Sequence, residues 1–151
     1  MKDIFYGYYV SPTGILKITS NGKCITTISF TEIAEEEKPD EITMEAVRQL
    51  EKYFKGERHN FTLPLEIRGT PYQKKVYNAL GKIPYGKTVT YGELAEMVNS
   101  SPRAIGHTLH SNPLLIVIPC HRVIKSDGTI GGYVGTTEVK KELLRREGIV
   151  I

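Results

Sequence analysis

A thiol, an imidazole and a guanidinium stand in succession at Cys120, His121 and Arg122, directly after Pro119 and the apolar run LLIVI at residues 114–118. A cysteine reacts as its thiolate, which an apolar site resists and a nearby base or cation assists. The run LLIVI reads as a short buried strand. Cys120 is therefore expected where the chain leaves the core, shielded from bulk water yet reachable through a pocket. His121 is the nearest base. Neighbouring side chains of an extended segment point to opposite sides, so contact between the two requires a bridging water or a bend after Pro119. In catalytic triads on unrelated folds a carboxylate holds the far imidazole nitrogen and fixes the tautomer. Glu147, near the end of the helical stretch KKELLRREG, is the candidate for that place. Taken alone, the same residues also fit a buried structural cysteine and a solvated helix glutamate.

The elements around these residues fall into two halves. In the first, IFYGYYV, GILKIT and KCITTISF are rich in aromatic and β-branched residues and are separated by the turn sequences SPTG and SNGK. They predict a three-stranded antiparallel meander, with Cys24 inside the third strand as a small core residue. EIAEEEKPDE reads as a charged loop. The next stretch, ITMEAVRQLEKYF, repeats apolar residues at helical spacing through Met44, Val47, Leu50, Tyr53 and Phe54. Breaker-rich sequence then places a domain boundary near Gly69, giving domains at residues 1–68 and 69–151. In the second half Thr70 and Gln73 frame Pro71 as a capping box with proline at the first helical position. Thr90 and Glu93 form a second box, and Ser101 with Pro102 opens a third helix. The tight turn between the second and third predicts a helix-turn-helix. Arg103 lies in the first turn of the third helix, where positive charge opposes the helix dipole; an external anion such as a phosphate is a reason for it.

Composition bounds the class. The 151 residues, 40% hydrophobic and 25% charged, are those of an ordinary globular protein of one or two small domains. No apolar run is long enough to span a membrane, and MKDIFYGYYV lacks the features of a signal peptide, so a cytoplasmic protein is expected. Two cysteines without metal-ligand spacing predict free thiols and no zinc site. Residues 1–70 hold 9 Lys/Arg against 11 Asp/Glu, a charge of −2, whereas residues 71–151 hold 11 against 6, a charge of +5. A polyanion is expected to meet the second half.

IPCHRVI, together with GTPYQKKVYNAL, IPYGKTVTYGELA, SPRAIGHTLHSNP and GGYVG, resembles the O6-alkylguanine-DNA alkyltransferases, also called methylated-DNA–protein-cysteine methyltransferases, over about residues 69–148. The resemblance implies an α/β (α+β) chain: an N-terminal antiparallel sheet with a helix, ribonuclease H-like, then a mainly helical domain with a helix-turn-helix. It implies a DNA-repair protein, needing no cofactor, that flips O6-alkylguanine out of duplex DNA and transfers the alkyl group irreversibly to Cys120. O4-alkylthymine is a second lesion to consider. The lesion-bearing duplex would be bound through the minor groove by a monomer, nucleoid-associated in a prokaryote. By the same resemblance His121 acts through a water as the base, Glu147 orients it, and Asn112 braces the cysteine segment. Arg103 fills the gap left by the flipped base, and Tyr91 crowds the 3′ phosphate. Tyr133, Val134 and Gly135 lie in the loop closing over the base, and backbone near Cys120, Val123 and this loop meets the guanine edge. Tyr72 and Tyr77 stand where relatives often have phenylalanine and tryptophan, and Val134 where serine is frequent. His107 and His110 are read as surface or groove-facing. Two rivals remain. A non-catalytic lesion-binding protein would lack the acceptor, against which Cys120 argues. A Cys-His-Glu hydrolase leaves Arg103 and the helix-turn-helix without a purpose.

Overall fold

The computed structural model describes residues 3–151; Met1 and Lys2, where the stretch read for a signal peptide begins, lie outside the described residues. The chain divides into two compact units. The first comprises Met1–Arg68 and Pro113–Leu115, the second Gly69–Asn112 and Ile116–Ile151.

In the first unit β1 (Phe5–Ser11), β2 (Gly14–Ser20) and β3 (Ile25–Thr31) form an antiparallel meander in that order. Pro12 and Thr13 make the first hairpin turn, opposite the pairing of Ser11 with Gly14. Leu16 and Ile18 of β2, with Ile25 and Ile28 of β3, are fully buried. Helix α1 (Glu41–Phe54) packs on this sheet. It starts at Asp40, whose carboxylate accepts from the Thr43 N–H, while the Thr43 hydroxyl receives the Asp40 N–H in return. Its buried face is Thr43, Ala46, Gln49, Leu50, Tyr53 and Phe54. Met44, expected on that face, is 56% exposed. The buried stripe runs one position earlier because Thr43 is committed inward by its bonds to Asp40. Cys24 also departs from expectation. It precedes β3 in the turn, its N–H bonded to Asn21 Oδ1, and is only half-buried.

The run at 114–118 is not a strand. Leu114 makes a single parallel bridge to Ile28, with Ile28 N–H donating to Pro113 O and Leu115 N–H to Ile28 O. The chain then turns, because Ile116 adopts φ 72°. Left-handed backbone at a β-branched residue costs about 1–3 kcal/mol and persists only where the surroundings over-determine it; here the side chain is buried.

The second unit contains α2 (Pro71–Leu80), β4 (Val89–Thr90), α3 (Tyr91–Met97), α4 (Pro102–Leu109), a 3-10 turn (Cys120–Arg122), β5 (Val123–Ile124) and α5 (Thr137–Arg146). Thr70 and Gln73 exchange capping bonds at α2, as do Thr90 and Glu93 at α3, and Ser101 caps α4. Helices α3 and α4 pack together across residues 98–101, where Asn99 takes φ 55°, a left-handed conformation that asparagine tolerates. Tyr77 is buried with its hydroxyl donating to Thr108 O, and the half-buried Tyr72 pairs with Ser100 Oγ at 2.6 Å. Each of these tyrosine hydroxyls therefore has a hydrogen-bond partner. Strands β4 and β5 pair in parallel, Val89 with Val123 and Thr90 with Ile124. No helix among the described residues is long and apolar enough to cross a membrane.

Candidate active site

Proline 119 ends the apolar run, and the chain winds into the 3-10 turn rather than continuing extended, with Arg122 N–H bonded to Pro119 O. Cys120 and His121 therefore do not alternate across an extended segment, and the bend after Pro119 is present. Cys120 is 3% exposed. Burial pushes its thiol up to about 11, against the opposing pull of a hydrogen bond from the Asn112 side chain and the charge of Lys140. The Asn112 amide also donates to Ile118 O at 2.8 Å. One side chain thus ties the segment after α4 to both Cys120 and the residue two positions before it.

His121 is fully buried, its Nε2 2.7 Å from Glu147 Oε2. Glu147 caps the C-terminus of α5, which stops there because Gly148 takes φ 85°. Its carboxylate accepts from Arg122 Nε at 2.8 Å, Arg122 Nη2 at 3.1 Å and the Gly86 N–H at 3.0 Å. Burial raises the Glu147 carboxyl, but the bonds and charges of His121 and Arg122 outweigh it and hold the group at about 2. An ionised carboxylate only accepts, so Nε2 carries the imidazole hydrogen. Burial holds the His121 pKa low in spite of Glu147, and the ring is neutral. Its Nδ1 then carries a lone pair, buried without a partner among the described residues. Arg122 completes its set with Nη1 on Ile83 O at 2.7 Å and lies over the Tyr85 ring.

Cys120 opens onto a small cavity of about 10 Å³ lined by Tyr91, Leu109, His110 and Tyr133, among others. Tyr91, the first residue of α3, accepts a hydrogen bond from the Gly132 backbone. The loop passes so close that a Cβ on Gly131 would lie 3.0 Å from the Tyr91 hydroxyl. Tyr133 is buried, and its hydroxyl has no hydrogen-bond partner among the described residues. Val134 lines the same cavity at 39% exposure. The Val123 carbonyl already accepts from Lys140 Nζ at 2.6 Å.

Cys120, His121, Glu147, Asn112, Tyr91, Tyr133, Val123 and Val134 thus converge. Gly135 is exposed in the bend before α5, outside the cavity lining. Arg103 is also exposed and lines a separate groove with Tyr72, Gln73, Ser101 and His107. His110, read as a surface residue, is exposed but borders the cavity. Among the described residues no group of His, Cys, Asp and Glu is arranged to hold a metal ion. Sequence reasoning missed Arg122 and Lys140. The signal was the α5 stripe Lys140, Leu143, Leu144, Glu147, in which two charged residues share a buried helical face.

Two family models cover nearly the whole chain. Residues 4–67 match the ribonuclease-like domain of 6-O-methylguanine DNA methyltransferase, and residues 71–149 match its DNA-binding domain. A methylated-DNA–protein-cysteine methyltransferase of Metallosphaera sedula is 38% identical over 150 residues, covering 98% of this chain and 96% of the relative. One from Methanosarcina acetivorans is 38% identical over 154 residues, covering 96% and 99%. The crystal structure of a Mycobacterium tuberculosis O6-methylguanine methyltransferase superposes with a TM-score of 0.86 at 37% identity, covering 96% of this chain and 93% of the other. The Mycobacterium tuberculosis protein OGT in complex with DNA gives 0.86 at 38%, covering 94% and 91%.

Proposed function

Since this chain belongs to the 6-O-methylguanine DNA methyltransferase family, we propose that it repairs duplex DNA by extruding an O6-alkylguanine and moving the alkyl group irreversibly onto Cys120 Sγ. Its activity is that of a methylated-DNA–protein-cysteine methyltransferase. The observation that carries the reading is a buried thiol facing a cavity, backed by a neutral imidazole whose far nitrogen is held by a permanent carboxylate.

A thiol near 11 is protonated at neutral pH, so attack requires a base. His121 Nδ1 supplies the lone pair, reached through one bridging water, and Glu147 stabilises the imidazolium that forms. The thiolate attacks the alkyl carbon. An S–C bond forms, the C–O6 bond breaks with its electrons passing to guanine, and the guanine takes up a proton as it leaves. A thioether is a poor leaving group, so the cysteine is spent and each molecule acts once.

A cavity of about 10 Å³ has room for about one water, so admitting a base requires the loop at residues 131–135 to swing aside. Tyr91 at the head of α3 crowds the 3′ phosphate, and Arg103 at the head of α4 fills the stack after extrusion, which costs a few kcal/mol and least at a damaged pair. The helix pair enters the minor groove as a monomer, and the Tyr133 hydroxyl and the loop backbone meet the base. Val134 offers no hydroxyl, leaving its backbone as donor.

The test is intact mass after incubation with one equivalent of duplex bearing O6-methylguanine. The reading expects one added methyl, mapped to Cys120, and none in Cys120→Ser, which still binds the duplex. Binding without modification of the parent chain would indicate a lesion-binding protein instead, and repeated turnover a hydrolase.

A further inference from the structure

His110 takes no part in the chemistry above, yet it borders the cavity onto which Cys120 opens. It caps the C-terminus of α4, is exposed, and has no side-chain hydrogen-bond partner among the described residues. Its ring stands against the closing loop: a Cβ on Gly132 would lie 3.8 Å from Nε2 and 4.0 Å from Cε1. The exposed part of the lining is His110, Gly132 and Val134. Val134 is apolar, and Gly132 has spent its N–H on Tyr91 and its carbonyl on Lys140. Among the described residues the imidazole is therefore the one side chain at the cavity mouth with a hydrogen bond left to give, whichever nitrogen carries the proton. None of the described residues lining the cavity is an aspartate or a glutamate.

We propose that His110 is a specificity-determining residue: its imidazole holds the far end of an O6-alkyl group that terminates in a carboxylate, and so extends alkyl transfer from small apolar adducts to carboxymethyl ones. The inference rests on the alkyl-transfer reading above. In a displacement at carbon, the sulfur, the carbon and O6 lie in a row, so a substituent on that carbon projects sideways onto the cavity wall. Two negative ends oppose a carboxylate there, the Cys120 thiolate and the C-terminus of α4. A charge-assisted hydrogen bond from the imidazole offsets them. Burying a carboxylate completely is costly, whereas at the exposed mouth it keeps part of its hydration while His110 donates to it. The step is otherwise unchanged. The thiolate attacks the methylene carbon, the S–C bond forms, the C–O6 bond breaks with its electrons passing to guanine, and guanine takes up a proton. Cys120 is left carrying a carboxymethyl thioether.

Single-turnover transfer is measured from duplexes bearing O6-methylguanine, O6-carboxymethylguanine or O6-propylguanine, for the parent chain, His110→Leu and His110→Gln. Propyl approximates the size of carboxymethyl without its charge. The ratio of each rate to the methyl rate cancels changes in DNA binding and extrusion. The carboxymethyl ratio is expected to fall about tenfold in His110→Leu, the size of one hydrogen bond to a charged group, and to lie between the two in His110→Gln, which still donates. The propyl ratio is expected to stay unchanged. Equal falls for carboxymethyl and propyl mean that His110 only shapes the pocket, and equal falls for all three lesions mean that it contacts the DNA; either overturns the inference. A parent chain that transfers methyl but no carboxymethyl overturns this inference alone, whereas absence of methyl transfer overturns the alkyl-transfer reading and this inference together. Should the His110 variants transfer nothing, nuclear magnetic resonance of the His110 imidazole in Cys120→Ser decides. Its signals are expected to differ between the complexes with the carboxymethyl and the methyl duplex, and coincident signals overturn the inference.

Discussion

Replacing Arg122 by methionine separates a buried ion pair from the ordinary surface kind. The two side chains of the Arg122–Glu147 pair are 7% and 0% exposed, against 71% and 28% for Arg145 and Glu142. Arg122 gives two hydrogen bonds to the Glu147 carboxylate and a third to Ile83 O. Without it, Glu147 stays buried and charged, and loses two of the charge-assisted hydrogen bonds that compensate it, although His121 and the Gly86 N–H remain. Breaking a buried pair from one side costs about 3–5 kcal/mol, because the remaining charge is uncompensated. Arg145→Met breaks an exposed pair and costs less than about 1 kcal/mol. In a chain of this size about 1 kcal/mol moves the melting temperature by about 2–4 °C. Arg122→Met is therefore expected to melt roughly 10 °C below the parent, and Arg145→Met no more than about 4 °C below it. Adding Glu147→Gln to Arg122→Met should cost less than the sum of the two single changes, since the second removes the charge that the first left unpaired. Equally small shifts for both arginines in a thermal melt would refute the reasoning. So would additivity in the double variant.

Three further outcomes follow from the site. Because Glu147 is held at about 2, below its ordinary value of 4.5, the stability it contributes is present above about pH 4.5 and is lost as pH falls toward 2; urea unfolding across that range should show this acid limb in the parent and a flatter one in Glu147→Gln. Arg103→Ala should slow repair of duplex DNA far more than transfer from free O6-benzylguanine, which has no stack to leave; equal losses would move Arg103 into the pocket or the fold. Alkylated Cys120 must place its new group beside a cavity of about 10 Å³ and disturbs the hydrogen bond between its sulfur and the Asn112 side chain. With overpacking costing about 1–3 kcal/mol, the methylated protein should melt below the free one and the benzylated protein lower still. Unchanged melting would mean that the loop yields without cost.

The parts of this fold that were legible in the sequence are those written in local hydrogen bonds. Thr70 with Gln73, Thr90 with Glu93, and Ser101 before Pro102 place the starts of α2, α3 and α4, because a cap is satisfied within four residues whatever surrounds it. Tertiary demands overrode the local pattern elsewhere. The run at 114–118 has the composition of a strand, but Pro113 and Pro119 lack N–H donors and Ile116 turns left-handed between them. At Cys120 the chain likewise winds into a 3-10 turn, where the alternation of side chains along extended backbone does not hold. At the site, Cys120 and His121 announce themselves by type and adjacency. Arg122 and Lys140 do not, since an arginine or a lysine is usually a solvated residue; only the helical register of Lys140 and Glu147 with Leu143 and Leu144 shows that α5 turns charge inward.

The central claim is that Cys120 is consumed. The most direct measurement titrates the protein with an excess of duplex carrying radiolabelled O6-methylguanine and follows protein-bound label to completion. The account predicts a plateau at one methyl per protein molecule, all of it on the peptide containing Cys120, with Cys24→Ser indistinguishable from the parent and no further loss of lesion after the plateau. Continued removal of lesion beyond one per protein, or label on any residue other than Cys120, would contradict it.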